Sequence, residues 1–479
     1  MSKTDDHLVL DFTGTDPQAG VINCTYAGMR GGVMLALLPT LAGDIPWSAG
    51  GLMPCFDLIT EEGTLNNATF PAAVSRVPIG PAWLTGSLVA ECLSQMLDQS
   101  IELGRNVQAA CCGTWDTAVM AGLDERGEQP APFLSIFMEP MAGGFGARPH
   151  ADGMDTGGLF GIPMGRVPDC EMTELLNPLL MLWRREEPDS SGPGQQRGGV
   201  SASLAVTPWG TSLPMGLVLA SAGKVVAQNP GLSGGHPGNS GREVIVRGTS
   251  VAELLAGGQL PDTLEALDGT SELGQNYAQT YIAPGDVFSM HWQGGGGYGD
   301  PVRRDPAQVL RALGEGKVTV AAARDVYGVV LAGAGTLDSS LTRVRREALL
   351  EQRRTRSTVD APLDGPTVNV DGAARLDGNL VQVDEGEHVV VGCAHCGHRL
   401  GDSRVRPALA VARYDGPPAD AGPQVGSDAA AYVDAPIVFR QYCCPGCYTA
   451  LYAGVVPADH DTELVLPGSR TIRQRVGAR

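Results

Sequence analysis

Two cysteine pairs near one end of the chain restrict its possible folds more than any other feature. Cys393 and Cys396 form one C-x2-C, Cys444 and Cys447 form another, and 47 residues lie between the pairs. A C-x2-C turn points both sulfurs at one ion, and two such turns complete a tetrahedral all-sulfur shell. The long intervening segment costs little, because closure entropy grows slowly with loop length. Each pair follows a short apolar run, "EHVVVG" and "IVFRQY", so a small ribbon around the ion is predicted. Gly397 and Gly446 are the positions where left-handed backbone is anticipated. Cys443 falls outside the register and reads as a packed thiol, while His395 and His398 read as loop residues beside the metal. A closed four-thiolate shell has no open coordination position, which makes the ion structural. Zinc is the expected occupant, and the same shell accepts iron.

Composition bounds the rest. A chain of 479 residues holds roughly two to four domains. With 43% hydrophobic and 18% charged residues it reads as folded, and 65 Gly with 34 Pro point to many turns. No run approaches the roughly 18 apolar residues of a transmembrane helix. Residues Met1–His7 are polar and acidic, unlike a signal peptide, so the expected compartment is the cytoplasm. In that reducing setting the other six cysteines, including the adjacent Cys111 and Cys112, read as buried thiols. The net charge of −19 repels phosphate backbones and anionic membranes, which argues against nucleic-acid or membrane partners.

The predicted fold class is α+β, in four regions. Residues 1–190 mix strands with helices, the latter over Gly31–Leu41 and Gly86–Gln99, where apolar residues recur at helical spacing. Residues 191–338 read as β-rich, with short apolar runs between Gly, Pro and Asn clusters, followed by two short helices after Pro301. Residues 339–382 read as an exposed Arg- and Glu-rich helix and a linker, and residues 383–479 as the ribbon.

Chemistry in the body is expected from glycine-dense segments. Met141–Gly158 carries Arg148, His150, Asp152 and Asp155, and lacks the Gly-Lys-Ser/Thr of a Walker loop. Such a segment can meet a ligand with bare backbone amides while its polar side chains converge, or can be a surface loop with no ligand. Pro188–Gly199, with Arg197, and Gly294–Pro301 are similar.

In this order the segments resemble the hydantoinase B/oxoprolinase family. The residues that carry the resemblance are Asp11 to Thr15, Gly143 to Pro149, Asp152-Gly153, Asp189 to Gly194 with Arg197-Gly198-Gly199, and Gly294 to Pro301. Met164–Glu186 looks like the acetone and acetophenone carboxylase branch, and the tail around Cys444 is similar to the small zinc-binding component of those carboxylases. The resemblance implies a subunit of an ATP-dependent ketone carboxylase. A hydantoinase A-like ATPase partner would phosphorylate the ketone's enol or bicarbonate, and the hydantoinase B-like part would join the two. Arg148 and Arg197 are candidates to hold developing negative charge, with Asp152 and Asp155 orienting Arg148 or reaching a metal held by a partner.

In the family, the Asp-Phe-Thr-Gly-Thr motif lies mid-subunit, after a half that binds a divalent metal through His and Asp. Here it begins at Asp11, and the eight histidines are scattered. The chain therefore reads as the C-terminal half of a split subunit, or as one that lost the metal-binding half; either way it is expected to be inactive alone, with ATP and the catalytic metal held by partners that include the N-terminal half. Two other readings are an ATP-dependent cyclic-amide hydrolase subunit and a non-catalytic assembly subunit.

Overall fold

The computed structural model describes residues 1–460 and 464, apart from 5–6, 76–78, 113–115, 138–141, 164, 276–278, 360–364, 406–407 and 427. Met141, Met164, Leu363 and the end of the expected ribbon region, residues 465–479, lie outside the described residues. The fold is α+β.

The first layer is a crossover unit. Strand Leu8–Asp11 runs parallel to strand Phe56–Ile59, joined by helix Tyr26–Leu41. That helix starts five residues before the expected Gly31, because Thr25 caps it and accepts from the Gly28 amide. Helix Ile79–Leu97, likewise longer than predicted, packs against it. Glycine permits the close crossing: a Cβ on Gly32 would lie 2.2 Å from the Ala82 carbonyl oxygen. Leu10, Val33, Leu37, Phe56, Val89 and Leu93 fill the space between sheet and helices.

Two antiparallel sheets form the middle of the molecule. One has the order Gln279–Ile282, Met215–Ala220, Thr117–Asp124, Ala131–Phe137. The other has the order Thr270–Leu273, Arg242–Arg247, Val287–His291, Ala202–Pro208, Leu179–Glu186. Alternate residues of both (Met120, Leu217 and Phe137; Leu204, Phe288 and Met290) meet in one core. Ala202–Pro208 is buried at every position, because helix Val251–Ala256 and its neighbours cover the second face of the five-stranded sheet. That double burial fits its mostly apolar sequence, broken only by the buried Ser203 and Thr207.

The glycine-dense segments sit inside the molecule and hydrogen-bond to one another through their backbones. Gly199 donates to Phe145 O, Gly295 to Gly199 O, Gly192 to Gly295 O, and Ala147 to Gly296 O. No wider backbone would fit: a Cβ on Gly144, Gly198, Gly199 or Gly295 would lie 1.9 Å from a carbonyl oxygen of a neighbouring segment. This corrects the reading of the glycines as free amides awaiting a ligand, while the Arg148–Ala151 turn of the same segment does lie at the surface.

After helices Pro306–Gly314, capped by Asp305, and Val320–Asp325, capped by Thr319, comes helix Ser339–Arg356. Its Arg353 is buried, so the expectation of a wholly solvated charged helix fails at that residue. Two four-stranded sheets complete the chain. One runs Thr358–Val359, Ala412–Gly416, Ile437–Cys443, Ala450–Pro457, the other Ala374–Arg375, Leu380–Glu385, His388–Cys393, Arg399–Asp402. Strands thus begin inside the segment expected as a linker. Leu376, Val391, Leu400, Leu409 and Leu451 pack between the sheets together with Cys393 and Cys444.

Candidate functional site

Each cysteine pair lies in the turn of an antiparallel hairpin, one in each tail sheet. Cys393 ends a strand paired with Arg399–Asp402, and Cys444 follows a strand paired with Ala450–Pro457. The sulfurs of Cys393 and Cys447 are 3.7 Å apart, those of Cys396 and Cys444 3.6 Å, and all four lie within 4.8 Å of one another. A tetrahedron with zinc–sulfur bonds of about 2.3 Å has edges of about 3.8 Å, so the donor set fits such an ion. The Gly446 amide donates to Cys444 Sγ at 3.4 Å, and Thr449 Oγ1 is 3.2 Å from Cys447 Sγ.

The two knuckles share one backbone pattern. Gly397 N donates to Cys393 O, and Tyr448 N donates to Cys444 O, both at 2.8 Å. Gly397 and Tyr448 are the left-handed residues, with φ of 70° and 55°. Gly446 was therefore the wrong position for left-handed backbone. It is glycine for space, since a Cβ there would lie 2.8 Å from His398 Cβ. His395 Nε2 meets Asn379 Oδ1 at 2.7 Å. Cys443 is buried, which pushes its thiol up to about 12, as suits a packed residue.

In the body, Asp152, Asp155 and Arg197 come together, and Arg148 does not join them. Asp155 accepts both terminal nitrogens of Arg197, at 2.6 and 3.0 Å, and the Val200 amide at 2.8 Å. Asp152 accepts both terminal nitrogens of Arg304, each at 2.6 Å, and the Arg197 amide at 2.9 Å. The carboxylates therefore orient Arg197 and Arg304, and not Arg148 as expected. Burial alone would raise the Asp155 carboxyl, but the Arg197 fork outweighs it and holds the group below its ordinary range. A carboxylate so engaged is a poor proton acceptor and a good clamp. Arg148 stands on an exposed turn closed by its own backbone with Ala151, and its guanidinium has no hydrogen-bond partner among the described residues. Beside the clamp is a cleft of about 250 Å³ lined by His150, Asp152, Gln196, Arg197, Arg304 and neighbouring residues.

Sequence reading missed two further clusters. Asp300, at the end of the last glycine motif, accepts both terminal nitrogens of Arg353, at 2.6 and 3.0 Å, and the amides of Val302 and Ala450. It joins the glycine segments, the charged helix and the second knuckle. Lys224 pairs with Glu243 at 2.5 Å, both buried, near Asp116. Burial, reinforced by Glu243, pushes the Asp116 carboxyl well up. The only sequence signal for Asp300 was its position directly after Gly294–Gly299; nothing marked Lys224 or Glu243.

The hydantoinase B/oxoprolinase family model matches residues 1–301, more than half of the chain. The chain belongs to the hydantoinase B/oxoprolinase family. This hydantoinase B family member is 28% identical over 350 residues to the caprolactamase subunit beta of Pseudomonas jessenii, covering 71% of this chain and 54% of the relative. It is 31% identical over 223 residues to the acetophenone carboxylase delta subunit of Aromatoleum aromaticum, covering 44% and 32%. Its fold resembles nucleotide-free acetone carboxylase, with a TM-score of 0.63 and 22% identity over 73% of this chain and 47% of the other. It also resembles the ATP-dependent caprolactamase from Pseudomonas jessenii, with a TM-score of 0.53 and 23% identity over 70% of this chain and 54% of the other. The chain thus spans about half the length, or less, of the curated relatives it matches. Among its described residues, the four cysteines are the one group of His, Cys, Asp or Glu gathered closely enough to hold a metal. No described helix is long and apolar enough to cross a membrane.

Proposed function

We propose that this chain is one subunit of a multi-subunit ATP-dependent enzyme that carboxylates a ketone at the carbon next to its carbonyl. The supporting observation is its likeness, in sequence and fold, to acetophenone and acetone carboxylase subunits. A hydantoinase A-like ATPase would supply an activated enol or carboxyphosphate, and the remaining half of the family's subunit would hold the catalytic divalent metal. Because such phosphates hydrolyse quickly, the join must occur in a chamber closed between subunits. This chain's part is to wall that chamber. Asp152 and Asp155 fix the segment from which Arg148 projects, and the unpartnered Arg148 guanidinium meets the anionic oxygen that forms there. Zinc in the four-cysteine shell would hold the tail against the body without touching substrate.

Surface chemistry supports a covering partner. Helix Ile79–Leu97 carries Glu91 as its one charged residue and exposes Leu84 and Leu88 one turn apart. A helix this apolar is normally buried on all sides, and we assign the cover to the remaining half of the family's subunit.

A second reading, ATP-dependent opening of a cyclic amide, is favoured by the longer match to the caprolactamase subunit. The deciding experiment is to isolate the native complex, identify its chains by native mass spectrometry, and assay it with ATP. Labelled bicarbonate appearing in a ketone product supports carboxylation, and lactam opening supports the alternative. A chain that purifies alone, and gives neither reaction when mixed with its ATPase partner, leaves an assembly role and ends both.

A further inference from the structure

The cleft beside the Asp152–Arg304 pair is lined by more donor side chains (His150, Gln196, Arg197, Arg304, Gln308 and Arg311) than acids. Arg197 and Arg304 are buried, and each uses its two terminal nitrogens on a carboxylate. Each also keeps a buried Nε with no hydrogen-bond partner. The Arg197 Nε is 3.8 Å from Asp152 Oδ2, beyond hydrogen-bond reach. Around them stand Gln196, Gln308, Arg311 and His150, whose side chains have no hydrogen-bond partner among the described residues. Asp152, one of two acidic residues in the wall, is fully engaged by Arg304. The other, Glu315, is exposed at the end of helix Pro306–Gly314.

Those two Nε atoms are closed off from solvent, so the free donors offered to the cleft are the unpartnered Arg311, Gln308, Gln196 and His150 side chains. The volume of about 250 Å³ has room for a small oxyanion with its water. Guanidinium forks match the spacing of oxygens on carboxylate or phosphate. We infer that this cleft is a binding site for a small oxyanion, a carboxylate-type or phosphate-type group held by Arg311 and Gln308 in the positive field of the buried Arg197 and Arg304. Such a site on a chain of net charge −19 concentrates an anion where the rest of the surface repels it. It does not depend on which reaction the assembly performs, because binding is read on this chain by itself.

The test is calorimetric titration of the purified full chain with acetate, bicarbonate and inorganic phosphate in turn, at constant ionic strength. Arg311→Glu and Gln308→Leu serve as cleft variants, and Arg343→Glu on the exposed helix as the control. We expect one saturable site for at least one probe. Its affinity falls tenfold or more in Arg311→Glu, falls less in Gln308→Leu, and is unchanged in Arg343→Glu. Uptake of phosphate alone identifies a phosphoryl ligand; uptake of acetate or bicarbonate alone identifies a carboxylate one. Absence of saturable binding for all three probes overturns the inference, as does binding that Arg311→Glu leaves intact.

Discussion

Asp300 and Arg353 carry opposite charges with almost no water around them, and each is the other's main compensation. Removing one member of such a pair leaves a buried charge, at a cost of about 3–5 kcal/mol. Asp300→Asn should lower the unfolding free energy by that amount, read as a shift of the urea midpoint to lower concentration. Burial raises the Asp300 carboxyl, but Arg353 more than reverses this, so its folded form titrates below its unfolded one. The stabilisation is complete above the ordinary carboxylate range and is lost as pH falls through it toward the folded value. His236 adds a second, earlier acid sensitivity. Its Nδ1 faces the Ala421 carbonyl at 2.7 Å and so donates, leaving Nε2 to accept from the Gln441 amide at 3.4 Å. Burial pushes the imidazole down to about 4 from an ordinary 6.5. Because the unfolded state takes up the proton first, stability should decline as pH falls from about 6.5 to about 4, and His236→Gln should flatten that part of the denaturation-against-pH curve.

At the level of elements, the glycine segments give the sharpest contrast. Gly295→Ala places a methyl 1.9 Å from Phe145 O, whereas Gly14→Ala, at φ 89°, meets only open space. The first should abolish soluble expression. The second should cost about 1 kcal/mol by thermal melt, from backbone strain alone. For the knuckles, Cys444→Ser or prolonged chelation should release one equivalent of metal by elemental analysis and loosen the tail sheets in hydrogen exchange. These cases also mark what the sequence could reveal. Cysteine spacing was readable because metal geometry demands it locally. The two short helices after Pro301 were readable because a helix start is a local event. The glycine packing was not, since its hydrogen bonds link segments as distant as Ala147 and Gly296 and leave no period in the chain. Arg353 was hidden for a related reason: inside an Arg- and Glu-rich run, nothing distinguishes the one side chain whose partner lies 53 residues away. The candidate aspartates were found, but their partner was misread. Arg197 and Arg304 are 42 and 152 residues from the carboxylates they engage, whereas Arg148 was merely near in sequence.

For the whole molecule, the prediction concerns assembly. Arg148→Ala, on an exposed turn, should leave folding and metal content unchanged and reduce turnover of the assembled complex tenfold or more. Leu84→Asp with Leu88→Asp should instead reduce recovery of the partner carrying the family's other half, read by native mass spectrometry, with the isolated chain still folded. Wild-type turnover in the first, or wild-type recovery in the second, would remove the corresponding role. The Asp300 junction has a consequence in time as well as in space. A ribosome delivers Asp300 before Arg353, and delivers the Ala450 amide that completes its coordination 150 residues later. At roughly 5–20 residues per second, the Arg353 charge follows within about ten seconds and the Ala450 amide within about thirty, so the acid in the glycine-packed centre is completed in two stages. Until the tail emerges and takes up its ion, the first 301 residues are a client for whatever shields half-made chains, and the last hairpin to be synthesised decides when that tenancy ends.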